Sequence, residues 1–279
     1  MLRLIRNLVG TLCLLTGVLL FSLPDVSAFW QGREAEKEIQ LFQKQSKDAR
    51  KTDALYQKGK LYNQRIFHNG QSGLIDAWSY ETVPAVLPEM KGTFGYLKIP
   101  KMKVNLPLYV GASEKNLIKG AAILGQTSLP MGGENTNCVI AGHRGYQGIP
   151  YFREIERLKT NDKVIVTNPW ETLTYRVERI KIIRPGEVEE IKIQSGKEMV
   201  TLLTCHPYRT HGKYRYVVYC VRDQGKKLPK EEVTTTKDLS FESSGWDLKR
   251  ERLLRYGGMA CLIFIGRKIV REEKRKDKG

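Results

Sequence analysis

The chain has 279 residues, with 47 Lys and Arg against 30 Asp and Glu, for a formal net charge of +17. That length suffices for one domain with a full core plus appendages. The positive excess suits nucleic acid, an anionic membrane surface or a negatively charged envelope. No recognition-helix pattern, zinc spacing or aromatic–basic interleaving accompanies it, which argues against nucleic acid. Five cysteines at 13, 138, 205, 220 and 261 show no pairing pattern and no metal-type spacing, and no cofactor motif is found.

Residues 1–30 open with Arg3 and Arg6 ahead of an apolar run from Leu8 to Leu23. Val26-Ser27-Ala28 has the small side chains of a cleavage site, so this stretch is a signal peptide or an N-terminal membrane anchor. Either places the chain beyond residue 30 outside the cell membrane. Residues 31–67 are rich in helix formers, and Ile39, Leu41, Phe42, Leu55, Tyr56 and Leu61 give a broken apolar face. They predict two helices. Residues 68–91 form a long loop with Gly70, Gly73, Pro84 and Pro88, a length typical of lids and linkers.

From Gly92 to about residue 224 the pattern changes to short β-type runs, among them "NCVIAGH", "LTYRVERIKII", "MVTLLTC" and "YRYVVYCV". Such spacing predicts a mainly β barrel or sandwich. In "TYRVERIKI" imperfect alternation puts Tyr175, Val177 and Arg179 on one face and Arg176, Glu178 and Ile180 on the other. "NLIKGAAIL" and "YFREIERL" suggest short helical insertions. Residues 225–252 are a charged juxtamembrane linker. Residues 253–279 hold an apolar run from Tyr256 to Gly266 and a basic tail. They predict a second membrane contact with a cytoplasmic tail, the alternative being a docked terminal helix.

"MVTLLTC" runs an apolar stretch straight into a thiol and then breaks into the loop "HPYRT". A nucleophile needs such a rigid base behind it and open space ahead. Histidines 68, 143, 206 and 211 are the candidate bases. His206 adjoins Cys205, so its side chain points the other way, whereas His143 ends its own apolar run at the mouth of a β element. Two such ends on neighbouring strands bring thiol and imidazole together, the logic of Cys/His nucleophilic catalysis. Arg215, opening "RYVVYCV", offers a planar cation for a developing oxyanion. Each residue also has a plain structural reading: a core thiol, a strand-end hydrogen bonder, a surface arginine.

"AGHRG", "TLLTC" followed by "PY", and the strand-initial arginine of "RYVVYCV", together with residues 95–133, resemble the sortase family of Gram-positive surface transpeptidases. The likeness covers about 92–222 and is greatest to class C, the pilus-assembly sortases. It implies an eight-stranded β-barrel preceded by helices and a lid loop. It further implies Cys205 as nucleophile, His143 as proton carrier, Arg215 as stabiliser of substrate and oxyanion, and Thr204 as part of the substrate groove. Asp76 and Trp78 match lid positions, although Ala77 stands where the family has proline, and Arg209 is a secondary candidate for the arginine role. The implied reaction cleaves LPXTG-like sorting signals and joins the acyl group to a lysine of a pilin subunit. The alternatives are attachment of surface proteins to a cell-wall precursor amine, and a membrane-tethered barrel that binds envelope components without catalysis.

Overall fold

The computed structural model describes residues 2–49, 53–75, 92–146, 149–208, 212–229, 234–235 and most of 253–268. The lid stretch with Asp76 and Trp78, and also Arg209 and His211, lie outside the described residues. Two compact units are present, one of residues 1–29, 147–149 and 243–279, the other of residues 30–146 and 150–242.

Two helices do precede the barrel: α1 (Leu2–Gln45) and α2 (Ala54–His68). The first is longer than expected, because the helix-forming residues after position 30 continue the apolar N-terminal run without a break. Its window of highest mean hydropathy, 1.8, makes it long and apolar enough to cross a membrane. In the smaller unit, described residues between 253 and 268 are helical, and Gly258 lies against the Phe21 ring. In the larger unit Ala35, Ile39 and Phe42 are buried, a spacing of four and three residues that gives one helix face. Phe42 meets the Tyr96 ring edge-on at 6.1 Å.

Eight strands make the barrel: β1 (Gly95–Ile99), β2 (Val104–Val110), β3 (Ala121–Ile123), β4 (Thr136–Ala141), β5 (Lys163–Thr167), β6 (Thr172–Ile183), β7 (Glu198–His206) and β8 (Tyr214–Arg222). Their order is β5-β1-β2-β3-β4-β7-β8-β6, and a β5–β6 pairing closes the ring. A two-residue strand, β9 (Thr234–Thr235), runs beside β6, so part of the stretch read as linker adds to the sheet edge. "NLIKGAAIL" splits into α3 (Glu114–Lys119) and β3, since Gly120 ends the helix. In "YFREIERL" the helical part is a single 3-10 turn, Ile155–Arg157.

The interior is filled by Leu97, Leu108, Ile140, Val166, Tyr175, Leu202 and Val218, with Tyr62 and Ile66 of α2 joining them. A second apolar layer covers the outer side of β4, β7 and β8, using Leu74, Val139, Ile191, Leu203, Val217 and Tyr219. Those strands are thus buried on both faces, which is why they read as unbroken apolar runs. On β6, Leu173, Tyr175 and Val177 point inward, and then a bulge between Val177 and Arg179 resets the phase so that Ile180 and Ile182 are buried instead. The expected grouping of Ile180 with Arg176 and Glu178 is corrected by that bulge, which sets two residues against one and shifts the alternation.

The barrel seam leaves no room at Gly95, where a Cβ would lie 2.1 Å from the Thr167 carbonyl oxygen. Gly95→Ala is therefore expected to destabilise the chain by about 1–3 kcal/mol. Gly186→Ala, with nothing within 4 Å of its Cβ, should leave the denaturation midpoint unchanged. Equal midpoints for the two variants would contradict this seam.

Candidate active site

Strands β4 and β7 run parallel, with Cys138 opposite Val200, Ile140 opposite Leu202 and Ala141 opposite Leu203. The Gly142 amide still donates to the Leu203 carbonyl at 3.2 Å beyond the last paired residue. Continuing that register by two residues brings His143 level with Cys205. Thr204 is buried, and its hydroxyl donates to the Gly142 carbonyl at 2.7 Å. The Phe152 amide donates to the carbonyl of His143 itself at 2.9 Å. The loop that carries the imidazole is thereby held from both sides.

Cys205 faces Arg215 across the antiparallel β7–β8 ladder, where the two are direct partners. Side chains so paired share a face of the sheet. Gly212 shows how near their ends come. A Cβ on it would sit 2.8 Å from Arg215 Nη1 and 3.1 Å from Cys205 Sγ, and its φ of +76° is itself a glycine conformation. Any side chain there would displace the thiol or the guanidinium. Arg215 Nη1 donates to the carbonyls of Gly212 at 2.7 Å and Tyr214 at 3.1 Å. Its plane is fixed by backbone, and Cys205 is half-buried beside it.

His143 is also half-buried. Its ring stacks on Tyr146 with centroids 4.8 Å apart and 16° between planes, and meets Tyr151 edge-on at 5.9 Å. The Tyr151 hydroxyl donates to the Ile118 carbonyl and accepts from Gln31 at 3.1 Å. Nε2 of His143 is buried and makes no hydrogen bond among the described residues. Burial holds the imidazole below its ordinary pKa, and the negative charge of Glu114 opposes that shift. A thiol and a guanidinium thus meet at the ends of β7 and β8, and an imidazole stands at the same end of neighbouring β4.

Residues 97–223 match the family described as Sortase domain. A Clostridium perfringens sortase C, solved with the C-terminal cell wall sorting motif, is 32% identical and superposes with a TM-score of 0.60, covering 68% of this chain and 100% of that one. The chain belongs to the sortase family. It is a cysteine transpeptidase. A pilus-related sortase C of Group B Streptococcus is similar at 27% identity and a TM-score of 0.57, covering 65% of this chain and 95% of the other. Sortase A of Bacillus anthracis is 26% identical over 218 residues, 77% of this chain and 92% of that protein.

Other candidate residues of this sortase take different places. His206 turns to the opposite face from Cys205 and is buried, with Nδ1 3.4 Å from Glu156 Oε1. His68 ends α2 and is exposed, its ring tilted against Phe67. Cys138 and Cys220 are fully enclosed in the barrel, and burial pushes both thiols up, keeping them protonated. A charged cleft of about 400 Å³ lies at the far ends of β7 and β8, lined by Glu178, Lys197, Glu198 and Arg222, with no cysteine or histidine among its lining residues. Sequence reading assigns nothing to Arg144, Glu156 or Tyr146. For Arg144 a signal was available: it is a lone charge between His143 and a glycine, beside an apolar run.

Because Glu114 supports the charged imidazole, Glu114→Gln should lower the midpoint of the His143 titration followed by NMR. Removal of a nearby opposite charge disfavours the protonated form. An unchanged or raised midpoint would contradict the assignment.

Proposed function

We propose that Cys205 is the nucleophile, His143 the proton carrier and Arg215 the oxyanion stabiliser of a pilus-type sortase anchored in the cell membrane by α1, with the barrel outside. The observation that carries this reading is the Cys205–Arg215 pair converging on Gly212 at the end of β7 that lies level with His143. In the first half-reaction the Cys205 thiolate attacks the carbonyl carbon of a Thr–Gly bond in an LPXTG-like signal. The electron pair moves to oxygen, where a guanidinium supplies charge and directed N–H groups. Collapse of that adduct breaks the C–N bond, the His143 imidazolium gives its proton to the departing amine, and a thioester remains on Cys205. In the second, a pilin lysine amine attacks the thioester carbonyl, His143 takes the amine's proton, and the thiolate leaves.

The class C likeness supports a lysine acceptor: the structural neighbours from C. perfringens and Group B Streptococcus are both sortases C. Similarity to the B. anthracis sortase A supports a second reading, in which the acceptor is a cell-wall precursor amine. The C-terminal apolar segment, helical where described, suits a second membrane contact.

The test is transpeptidation by the full-length chain in detergent, given a sorting-signal peptide together with a lysine-bearing pilin domain and a precursor-type free amine. An isopeptide to the pilin lysine is expected, and exclusive use of the free amine would overturn the pilus reading. In the same assay Cys205→Ala should give no product and His143→Ala should lose about 10²–10⁴-fold. Arg215→Lys should lose most activity because an ammonium cannot reproduce the planar fork. Turnover at the wild-type rate in any of the three would remove that residue from the mechanism.

A further inference from the structure

Directly behind the reacting groups lies a buried cluster that the proposed chemistry does not use. Arg144 follows His143 in sequence, yet its side chain turns away from the imidazole into the protein and is 4% exposed. Its guanidinium reaches several separate elements. Nη2 donates to Glu156 Oε1 at 2.5 Å, Nε to the Arg153 carbonyl at 3.3 Å, and Nη1 to the carbonyl of Cys205 at 3.4 Å. Its Cζ stands 5.5 Å from the centre of the Tyr216 ring, the residue after Arg215. Glu156 lies between Arg144 and His206, on the 3-10 turn Ile155–Arg157.

We infer that Arg144 is a positioning residue that sets the alignment of His143 against Cys205. This rests on the catalytic roles proposed above. The grounds are geometric. His143 and Cys205 sit at two separate strand ends, past the last paired residue of β4 and at the last residues of β7. Besides the Gly142 amide bond to the Leu203 carbonyl, two side-chain hydrogen bonds cross between these ends: Thr204 Oγ1 to the Gly142 carbonyl, and Arg144 Nη1 to the Cys205 carbonyl. They bracket the two reacting residues, one on the residues before them and one through the residue after His143. Glu156 holds the guanidinium by Nη2 in the orientation that reaches Cys205, through a charge-assisted hydrogen bond stronger than a neutral one. A displacement of about 1 Å between reacting groups can cost about 10²-fold in rate. Losing the Arg144 tie should therefore slow chemistry while leaving peptide binding and the thiol itself alone.

A buried pair complicates the obvious variant, since removing Arg144 alone leaves Glu156 as an uncompensated charge. The informative variant is Arg144→Met with Glu156→Leu, because replacing both charges by apolar groups is often neutral for stability. The full-length chain in detergent would be assayed for kcat and KM on a sorting-signal peptide, for alkylation of Cys205 by iodoacetamide, and for thermal midpoint. The expected result is kcat lower by about 10²-fold with KM, alkylation rate and midpoint close to wild type, the pattern of an interaction felt only in the transition state. Wild-type kcat in the double variant would overturn the inference. So would a fall in kcat matched by an equal fall in alkylation, which would mean that the thiol's own environment had been lost. If the double variant does not fold, Arg144→Lys decides: an unchanged midpoint with kcat at least about tenfold lower supports the role, and unchanged kcat overturns it. Failure of the functional reading would appear elsewhere, as peptide turnover that survives Cys205→Ala in an otherwise wild-type chain.

Discussion

The parallel pairing of β4 with β7 is the constraint on which the rest of this sortase depends. Parallel neighbours end at the same edge of a sheet, so the residues next in register emerge side by side. Here His143 and Cys205 come two residues beyond the last pair. The arrangement needs a long crossover, because parallel strands cannot be joined by a tight turn. The chain between residues 142 and 197 supplies it, and contributes β5 and β6 to the closure of the barrel on the way. Burial of β4 and β7 on both faces makes a slip in register costly, since it would move a whole apolar set.

Around this pair the backbone does most of the orienting. Arg215 is held by two carbonyls of its own loop, the His143 carbonyl by the Phe152 amide, and the Gly142 carbonyl by Thr204. Gly212 leaves the space that the thiol and guanidinium share. Aromatic rings supply the remaining support, with Tyr146 stacked on the imidazole and Tyr151 against its edge. A site built from strand ends and braced loops is more rigid than one carried on free loops, and nucleophilic catalysis gains from that.

Much of the barrel is legible in the sequence because its strands announce themselves as short apolar runs with turn residues between them. The two helices are legible because residues after position 30 are strong helix formers. Alternation alone misplaces Ile180, because a bulge changes the phase of β6 without any glycine or proline to mark it. "GAAIL" looks helical because alanine favours helices, but three residues pair between β2 and β4 as a strand, and tertiary pairing overrides so weak a preference. Cys205 and His143 can be singled out because each stands where an apolar run stops. Arg144 is marked in the sequence only as a lone charge between His143 and a glycine, and Glu156 and Tyr146 are not marked at all, because their contacts join segments far apart in sequence or depend on how one loop turns. Thr204, expected along the groove, shows a buried hydroxyl bound to the His143 loop.

Every role proposed for the site depends on one thiol, Cys205, carrying the acyl group. The most direct measurement incubates the full-length wild-type chain with a sorting-signal peptide, quenches in acid, and maps the thioester by tandem mass spectrometry. The predicted result is an acyl adduct ending in threonine on the fragment that contains Cys205, with Cys138 and Cys220 unmodified. An adduct on either of those enclosed thiols, or product formed with no adduct on Cys205 at any time of quenching, would contradict it.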